Sequence, residues 1–475
     1  MYIKKVFFAV TIRTFLNPVS SILNARRPLI LGNYQVNNSS NCKKLLLIAI
    51  DGLSFPLLQK WFAMGDLPFL ERLMEGGCYG LLKPFTPSNS AVIWTSIITG
   101  MNPRKHGIDS FIYYKVRERI VRKTAIKKML KCGIRPLFRW LQKKEYVRDV
   151  PFSLSMVQQK MLWELFAQED RSVGVINWWY SWPACEVPGF IISDRVHYWR
   201  LKERGKNGSL PDTHLVYPDS LFDEVVKSIV DPLALPVDVY QQFMKVDRRE
   251  IETMRNCHYK RHQLMSEFKY LYSMDESVKK LALYCLKEFP QPDFLAFYFR
   301  GIDIISHCAL KYDSCNRDSH VTDKEIEQFG DTVHEYYCHI DRILKELIEK
   351  VSVDTTVMVV SDHGFEKEPD GRFGHRKTKP PGLLILNGQN VRTGLRVENA
   401  SVYDITPTLL YLGGLPVSKE MDGVVLTECV EETFLQNHPI QFIESYGSPL
   451  RHKGPVAHDS DEEIKERLRA LGYLE

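Results

Sequence analysis

Six acid and imidazole side chains stand at or just beyond the ends of short apolar runs. Asp51 closes LLLIAID, Asp303 and His307 follow DFLAFYF within FRGIDIISH, Asp362 and His363 close VMVVSDHG, and His375 sits in DGRFGHRKTKPPG. Singly, each has an ordinary explanation. An Asp before Gly makes a turn, and a lone His more often satisfies a core hydrogen bond than binds a metal. Six such groups at one edge of one sheet are better explained as ligands. They divide into two sets of three, each mixing carboxylate with imidazole, and three protein ligands with an open position is the donor set of a catalytic zinc site. Two such ions roughly 4 Å apart clamp an in-line displacement at phosphorus. The imidazoles favour two Zn2+ ions over Mg2+, with Mn2+ as the alternative.

A second stretch, TPSNSAVIWTSIITG from Thr86 to Gly100, crowds Ser88, Asn89 and Ser90 ahead of an apolar run. Two readings fit it. One of the three caps a helix by accepting from the free N–H groups of its first turn. Alternatively, one hydroxyl sits at the positive end of that helix as a nucleophile facing an anion.

The elements that must hold these groups are also legible. KKLLLIAIDG reads as a buried strand ending in an acid and a glycine, and LPFLERLMEGG as a helix opened by Pro68 and stopped at Gly76–Gly77. SVGVINWWYSWP, DFLAFYF, TTVMVVSDHG and GLLILNG are further short apolar runs, separated by helical patterns such as 331–351. Strands alternating with helices predict an α/β fold, a doubly wound, mostly parallel sheet with helices on both faces and its site at the carboxyl ends of the strands. Residues 111–165 and about 196–275 fit the alternation poorly and are expected to be cap insertions on a domain spanning 41–475, behind a basic extension over 1–40. The end of the chain predicts a docked helix, with Ser460 and Glu463 as its capping box and Gly472 as its stop.

Composition narrows the class. The 475 residues are 44% hydrophobic and 25% charged, which is ordinary for a globular protein. Ten cysteines without a CxxC pair argue against a disulfide scaffold or a cysteine zinc site. The early apolar run Val6–Ile12 is too short to span a bilayer, so no transmembrane helix is expected. Lys4 and Lys5 ahead of it make a weak imitation of an export signal, so a cytoplasmic location is expected, with export as the alternative. Charge is uneven. Residues 115–148 hold thirteen Lys or Arg against Glu118 and Glu145, interleaved with Ile120, Ile126, Met129, Leu130, Phe138, Trp140 and Leu141. The plain reading is a solvated helical face with a buried stripe. The functional one is a lid that draws an anionic substrate to the metals, with peripheral contact on an anionic membrane as its rival. A small-molecule phosphate ester is the expected partner and a specific nucleic acid is not; nothing in the sequence sets an oligomeric state.

As a set, AIDG, PSNSAVIWTSIITGMNPRKHGI, GIDIISH, SDHGF and GRFGH resemble the alkaline phosphatase superfamily, in particular its type I phosphodiesterase/nucleotide pyrophosphatase-like branch. SVYDITPTLLYLGGLPV, MDGVVL and RLRALGYLE extend the likeness almost to the end of the chain. Aligned on Thr99-Gly100, the resemblance places the nucleophile on Ser90. It implies that Asp303, His307 and His375 hold one metal, and that Asp51, Asp362 and His363 hold the other together with the Ser90 oxygen. The implied activity is phosphoric ester hydrolysis through a phosphoseryl-type intermediate, on a diester more than a monoester. Transfer to a lipid or sugar hydroxyl is the first alternative, and a non-catalytic binding module on the same fold is the second. Two departures bear on substrate: Ser90 replaces the threonine usual in nucleotide pyrophosphatases, and Ile93 stands where they carry asparagine. Ala91-Val92-Ile93-Trp94 also lacks the x-Pro-x-Arg that sulfatases need after their nucleophile.

Overall fold

The computed structural model describes residues 44–85, 89–110, 112–116, 119–122, 135–144, 146–151, 153–197, 214–255, 263–314, 320–368, 373–375 and 380–449. The expected extension 1–40, the C-terminal helix and Ser88 lie outside them. Among the described residues, a nine-stranded sheet is built from β1 (Leu45–Ile50), β2 (Cys78–Leu82), β3 (Val173–Ile176), β4 (Gly189–Ile192), β5 (Val216–Tyr217), β6 (Phe294–Phe299), β7 (Thr356–Val360), β8 (Gly382–Asn387) and β9 (Leu395–Val397). Their order is β9-β2-β8-β7-β1-β6-β3-β4-β5. β1 lies between β7 and β6 and is parallel to both. Only β8 and β5 run against the others.

The helices that concern the site are α1 (Phe55–Phe62), α2 (Pro68–Glu75), α3 (Ser90–Thr99), α4 (Arg135–Lys143), α5 (Leu162–Gln168), α6 (Leu264–Glu288), α7 (Gly301–Ala309), α8 (Thr332–Ile348) and α9 (Ile405–Leu412). Alternation along β1 assigns them to two layers. Leu46, Ile48 and Ile50 pack into one core with Trp61 of α1, Leu70 of α2, Leu281 of α6, Ile305 of α7 and Ile340 of α8. Leu45, Leu47 and Ala49 pack into a second core with Trp94 of α3, Phe166 of α5 and Leu409 of α9. A strand apolar at every position, like LLLIAI, is what a sheet covered on both faces requires. The doubly wound, mostly parallel α/β sheet is therefore the observed architecture.

The antiparallel setting of β8 has a local cause. The chain after β7 makes a small antiparallel pairing of Glu366–Lys367 with Phe373–Gly374. It re-enters the sheet from the edge at which it left, so the next strand runs backwards. Within the expected insertions, Ile112–Val116, Arg119–Arg122 and Val147–Pro151 form a separate three-stranded antiparallel sheet, with α4 between its second and third strands. α5 packs on the main sheet, and β5 forms its far edge. No helix among the described residues is long and apolar enough to cross a membrane.

One buried carboxylate fixes the start of α7, the helix that carries Asp303 and His307. Asp275 of α6 accepts from Arg300 N at 3.1 Å, from Gly301 N at 3.0 Å and from Tyr336 Oη at 2.9 Å. Position 301 must be glycine, because a Cβ there would lie 2.0 Å from that Tyr336 oxygen. Burial raises the Asp275 carboxyl to about 6, against which its three donors work. The native group then keeps a proton that the unfolded chain gives up, so its contribution to stability declines as pH rises from about 4 to about 6. An Asp275→Asn variant lacks this titration. Its stability deficit against the native chain should shrink by roughly 2–3 kcal/mol between pH 4 and pH 7, measured by chemical denaturation. A deficit constant across that range would mean that Asp275 is ionised throughout.

Candidate metal centre

The three central parallel strands end side by side, and each delivers an acid. Asp51 follows β1, Asp362 and His363 lie just beyond β7, and Asp303 lies in the first turn of α7 after β6. His307 is one helical turn further along α7, so its ring falls on the face that carries Asp303. His375 comes in directly after Phe373–Gly374. The turn that closes β1 depends on Gly52, at φ +73°, where a Cβ would stand 2.8 Å from the Asp303 Cα.

All six residues named from the sequence come together. Asp303 Oδ1 lies 3.5 Å from His307 Nε2 and 3.5 Å from His375 Nε2, and those two ring nitrogens are 2.8 Å apart. His363 Nε2 lies 3.3 Å from Asp51 Oδ1, 3.5 Å from Asp362 Oδ2 and 3.8 Å from Asp303 Oδ1. The geometry adds a detail that the expected partition into two triads lacks. His363 faces both sets: Asp51, Asp362 and His363 converge within 4.8 Å of one another, and so do Asp303, His363 and His375.

The donor set fits divalent cations. Both oxygens of Asp362 and Oδ1 of Asp51 are buried without a hydrogen-bond partner, which is costly for carboxylates unless a cation faces them. Burial, then the neighbouring Asp51 charge, pushes Asp362 well above the ordinary carboxylate range. Burial works to lower His363, but Asp362, Asp51 and Asp303 together raise it to about 10. Burial and the facing His363 lower His375 to about 3. Asp303 is held down by His307, His375 and His363 in spite of its burial. Crowded anions, with one imidazole forced to carry their compensating charge, mark a place for metal ions. The carbonyl of Gly364 lies 3.2 Å from His363 Nδ1 and can only accept, so Nδ1 carries a hydrogen and Nε2 is the atom turned towards the acids.

Ser90 is the seventh residue named from the sequence, and the structure settles the capping question. Asn89 is the N-cap of α3, and its side chain accepts from Val92 N at 3.2 Å. Ser90 is the first helical residue, and its Oγ lies 3.4 Å from His363 Nε2. The side chain that ends the helix is thus a neighbour, and the Ser90 hydroxyl faces the acid–imidazole cluster.

Several positioning residues have no signal that motif reading detects. Tyr298 donates its hydroxyl to Asp51 Oδ2, Ser361 Oγ accepts from Leu53 N at 2.9 Å and donates to His363 O at 2.8 Å, and Phe365 sets its ring edgewise to His307 and His375. Asp275 belongs with them. Tyr298 lies in a strand buried at all six positions, where parity singles out no residue, and Asp275 lies in mid-helix with nothing local to distinguish it.

Crowding of buried carboxylates gives a test that does not depend on turnover. Replacing Asp362 by Asn relieves repulsion in the metal-free protein and removes a candidate ligand. After chelation, the Asp362→Asn protein should unfold at a higher temperature than the native chain. Added Zn2+ or Mn2+ should then raise the native midpoint and leave the variant largely unmoved. Equal shifts in both proteins would remove Asp362 from the ligand set.

Comparison with known proteins gives partial relatives and one family. Human arylsulfatase K is 28% identical over 129 residues, covering 25% of this chain and 24% of that protein. A 2,3-bisphosphoglycerate-independent phosphoglycerate mutase of Synechococcus sp. strain JA-3-3Ab is 30% identical over 112 residues, 21% of each chain. The matched segments thus span about a quarter or less of these curated relatives. Among solved structures, human ectonucleotide pyrophosphatase/phosphodiesterase 5 aligns over 83% of this chain and 99% of its own, at 10% identity and a TM-score of 0.43. The family model described as type I phosphodiesterase / nucleotide pyrophosphatase matches residues 45–402. That span contains Ser90, all six acids and histidines, and the strands that deliver them, and the chain belongs to the type I phosphodiesterase / nucleotide pyrophosphatase family.

Proposed function

We propose that this chain is a metal-dependent hydrolase of phosphoric esters, acting on diesters in preference to monoesters, with Ser90 as its nucleophile. The observation that carries the reading is the Ser90 hydroxyl. It stands in the first turn of a buried helix, with Oγ 3.4 Å from His363 Nε2 and with Asn89 already serving as the cap. A helix start favours an anion in front of it, so a phosphoryl group is the complementary substrate part.

In this reading Asp303, His307 and His375 hold one cation, and Asp51, Asp362 and His363 hold the second next to Ser90. Two Zn2+ ions suit the mixed nitrogen and oxygen donors, with Mn2+ as the alternative. When bound, such ions lower the pKa of a hydroxyl or water beside them and neutralise charge on phosphoryl oxygens. The protein's own part is nucleophile and frame. Ser90 Oγ gives up its proton and forms a bond to phosphorus as the bond to the leaving alcohol oxygen breaks; that oxygen departs with a proton. Water then attacks the phosphoseryl group, the Oγ–P bond breaks, and the Ser90 hydroxyl is restored. Tyr298 and Ser361 hold Asp51 and the His363 backbone in place during both steps.

The Ile93 side chain is buried in the core, so the position at which nucleotide pyrophosphatases carry asparagine offers no polar group to the substrate. A nucleotide is therefore not the proposed substrate. The sulfatase motif is absent after Ser90, so a sulfate ester is not proposed either, despite the partial match to an arylsulfatase.

Three experiments test the reading. Assay of nitrophenyl phosphodiester, phosphomonoester and sulfate ester with Zn2+ or Mn2+ should give the highest kcat/KM on the diester. A sulfate ester turned over fastest would overturn the assignment, and product carried onto an added acceptor alcohol in place of water would convert it to a transferase. The Ser90→Ala protein should fold with a stability change within about 1 kcal/mol, since Asn89 is the cap, and lose at least about 1,000-fold in kcat. Intact mass of quenched native enzyme should show a substrate-derived phosphoryl adduct that the variant lacks. A fully active Ser90→Ala protein would exclude the mechanism.

A further inference from the structure

The small antiparallel sheet of Ile112–Val116, Arg119–Arg122 and Val147–Pro151 carries α4, and α4 shows apolar side chains on its outward face as well as on its inward one. Among its described side chains Phe138, Leu141 and Gln142 are half-buried, and Phe138 packs edgewise on Tyr114 at 5.1 Å. Leu137 and Trp140, also three apart, face outward at 43% and 51% exposure. Tyr146, 60% exposed, lies 6.3 Å from the Trp140 ring and extends the same patch. Only eight large hydrophobic side chains among the described residues are exposed to this degree. Three of them fall within these ten positions, and they include the only tryptophan and the only tyrosine. An outward helix face in water should be polar. This one is apolar and aromatic.

Its surroundings say what it meets. Lys143 and Lys144, both exposed, border the patch, and residues 115–148 carry thirteen Lys or Arg against two Glu. Tryptophan and tyrosine beside lysine is the composition of a lipid headgroup interface, where amphipathic rings sit at the boundary and basic heads meet anionic lipids. A lid that only steers an anionic substrate needs the charge and gains nothing from an exposed Leu–Trp–Tyr surface. We propose that α4 and the turn to Tyr146 form a docking surface for an anionic membrane: Leu137, Trp140 and Tyr146 enter the headgroup layer, and the lysines bind its negative charge. The protein would then be held at a lipid surface reversibly, because one aromatic patch and one basic cluster give a peripheral tether.

The test uses vesicles of phosphatidylcholine alone and of phosphatidylcholine with phosphatidylglycerol. Full-length protein should co-sediment with the mixed vesicles at low salt, should bind the neutral ones far less, and should be released as salt rises. The Trp140→Ala/Tyr146→Ala protein should bind at least about tenfold more weakly. Lys143→Glu/Lys144→Glu should also lose at least tenfold at low salt, since each basic residue near such a surface contributes about fivefold. Both variants change exposed positions and should keep the native unfolding temperature. Fluorescence supplies an independent readout. Six of the eight tryptophans (Trp61, Trp94, Trp163, Trp178, Trp179 and Trp182) are buried and Trp199 lies outside the described residues, so quenching by brominated lipid should be measured in a Trp199→Phe background, where it should fall chiefly on Trp140 and disappear when Trp140→Phe is added. Absence of binding to anionic vesicles, or equal binding by the folded variants, would overturn the proposal. Tighter salt-dependent binding to RNA or polyglutamate than to vesicles would overturn it as well, by giving the surface to a soluble polyanion.

Discussion

Three carboxylates, Asp51, Asp303 and Asp362, are buried side by side at the ends of three adjacent parallel strands. Like charges in a dry site repel strongly, and the cost is several kcal/mol per ion unless countercharge is supplied. Part of that countercharge comes from His363, since the acids around its ring raise its affinity for a proton. The rest of the structure answers this one constraint. A site of this kind persists only where a rigid frame prevents the acids from moving apart or swinging out to water.

The frame is the doubly covered sheet. β1 is buried at all six positions, so it cannot slide without exposing apolar side chains on both faces. Its parallel neighbours β6 and β7 hold the three acids at one edge. Two glycines remove the remaining steric obstacles: Gly52 lets the turn after β1 approach Asp303, and Gly301 lets α7 approach Tyr336 and Asp275. Asp275 is itself a buried acid, and its three donors set the direction of α7. The core energy of the fold is thereby converted into fixed positions for the charged groups. This is the general route by which active sites hold unfavourable local arrangements.

The reactive edge and the aromatic surface of α4 belong to different parts of the molecule's design. The first is assembled from strand ends and depends on the main core. The second belongs to a small separate sheet, anchored by contacts such as Phe138 on Tyr114. The amphipathic reading of residues 115–148 from sequence anticipated alternating apolar and basic residues. It had no means of deciding which apolar residues face inward, because Phe138/Leu141 and Leu137/Trp140 have the same spacing.

The sequence by itself determined the main strands of the sheet and the acids and histidines that gather at their ends. Apolar runs such as LLLIAI and FLAFYF, each closed by an acid, set the strands and the edge that carries the site, because period and length leave few alternatives for a fully apolar six-residue segment. Ser90 and the six acids and histidines were legible because their residue types at strand ends, and their order along the chain, follow a recognisable pattern. Tertiary structure alone decided three things. It made Asn89 the cap and turned Ser90 towards His363, a choice between adjacent residues that local propensity cannot make. It placed His363 between the two sets of candidate ligands, which depends on the side-by-side order of β7, β1 and β6. It recruited Asp275, Tyr298 and Ser361 through contacts with Arg300, Asp51 and Leu53, which lie 25, 247 and 308 residues away along the chain. Contacts at such separations exist only after the chain has folded, so no local window of sequence records them.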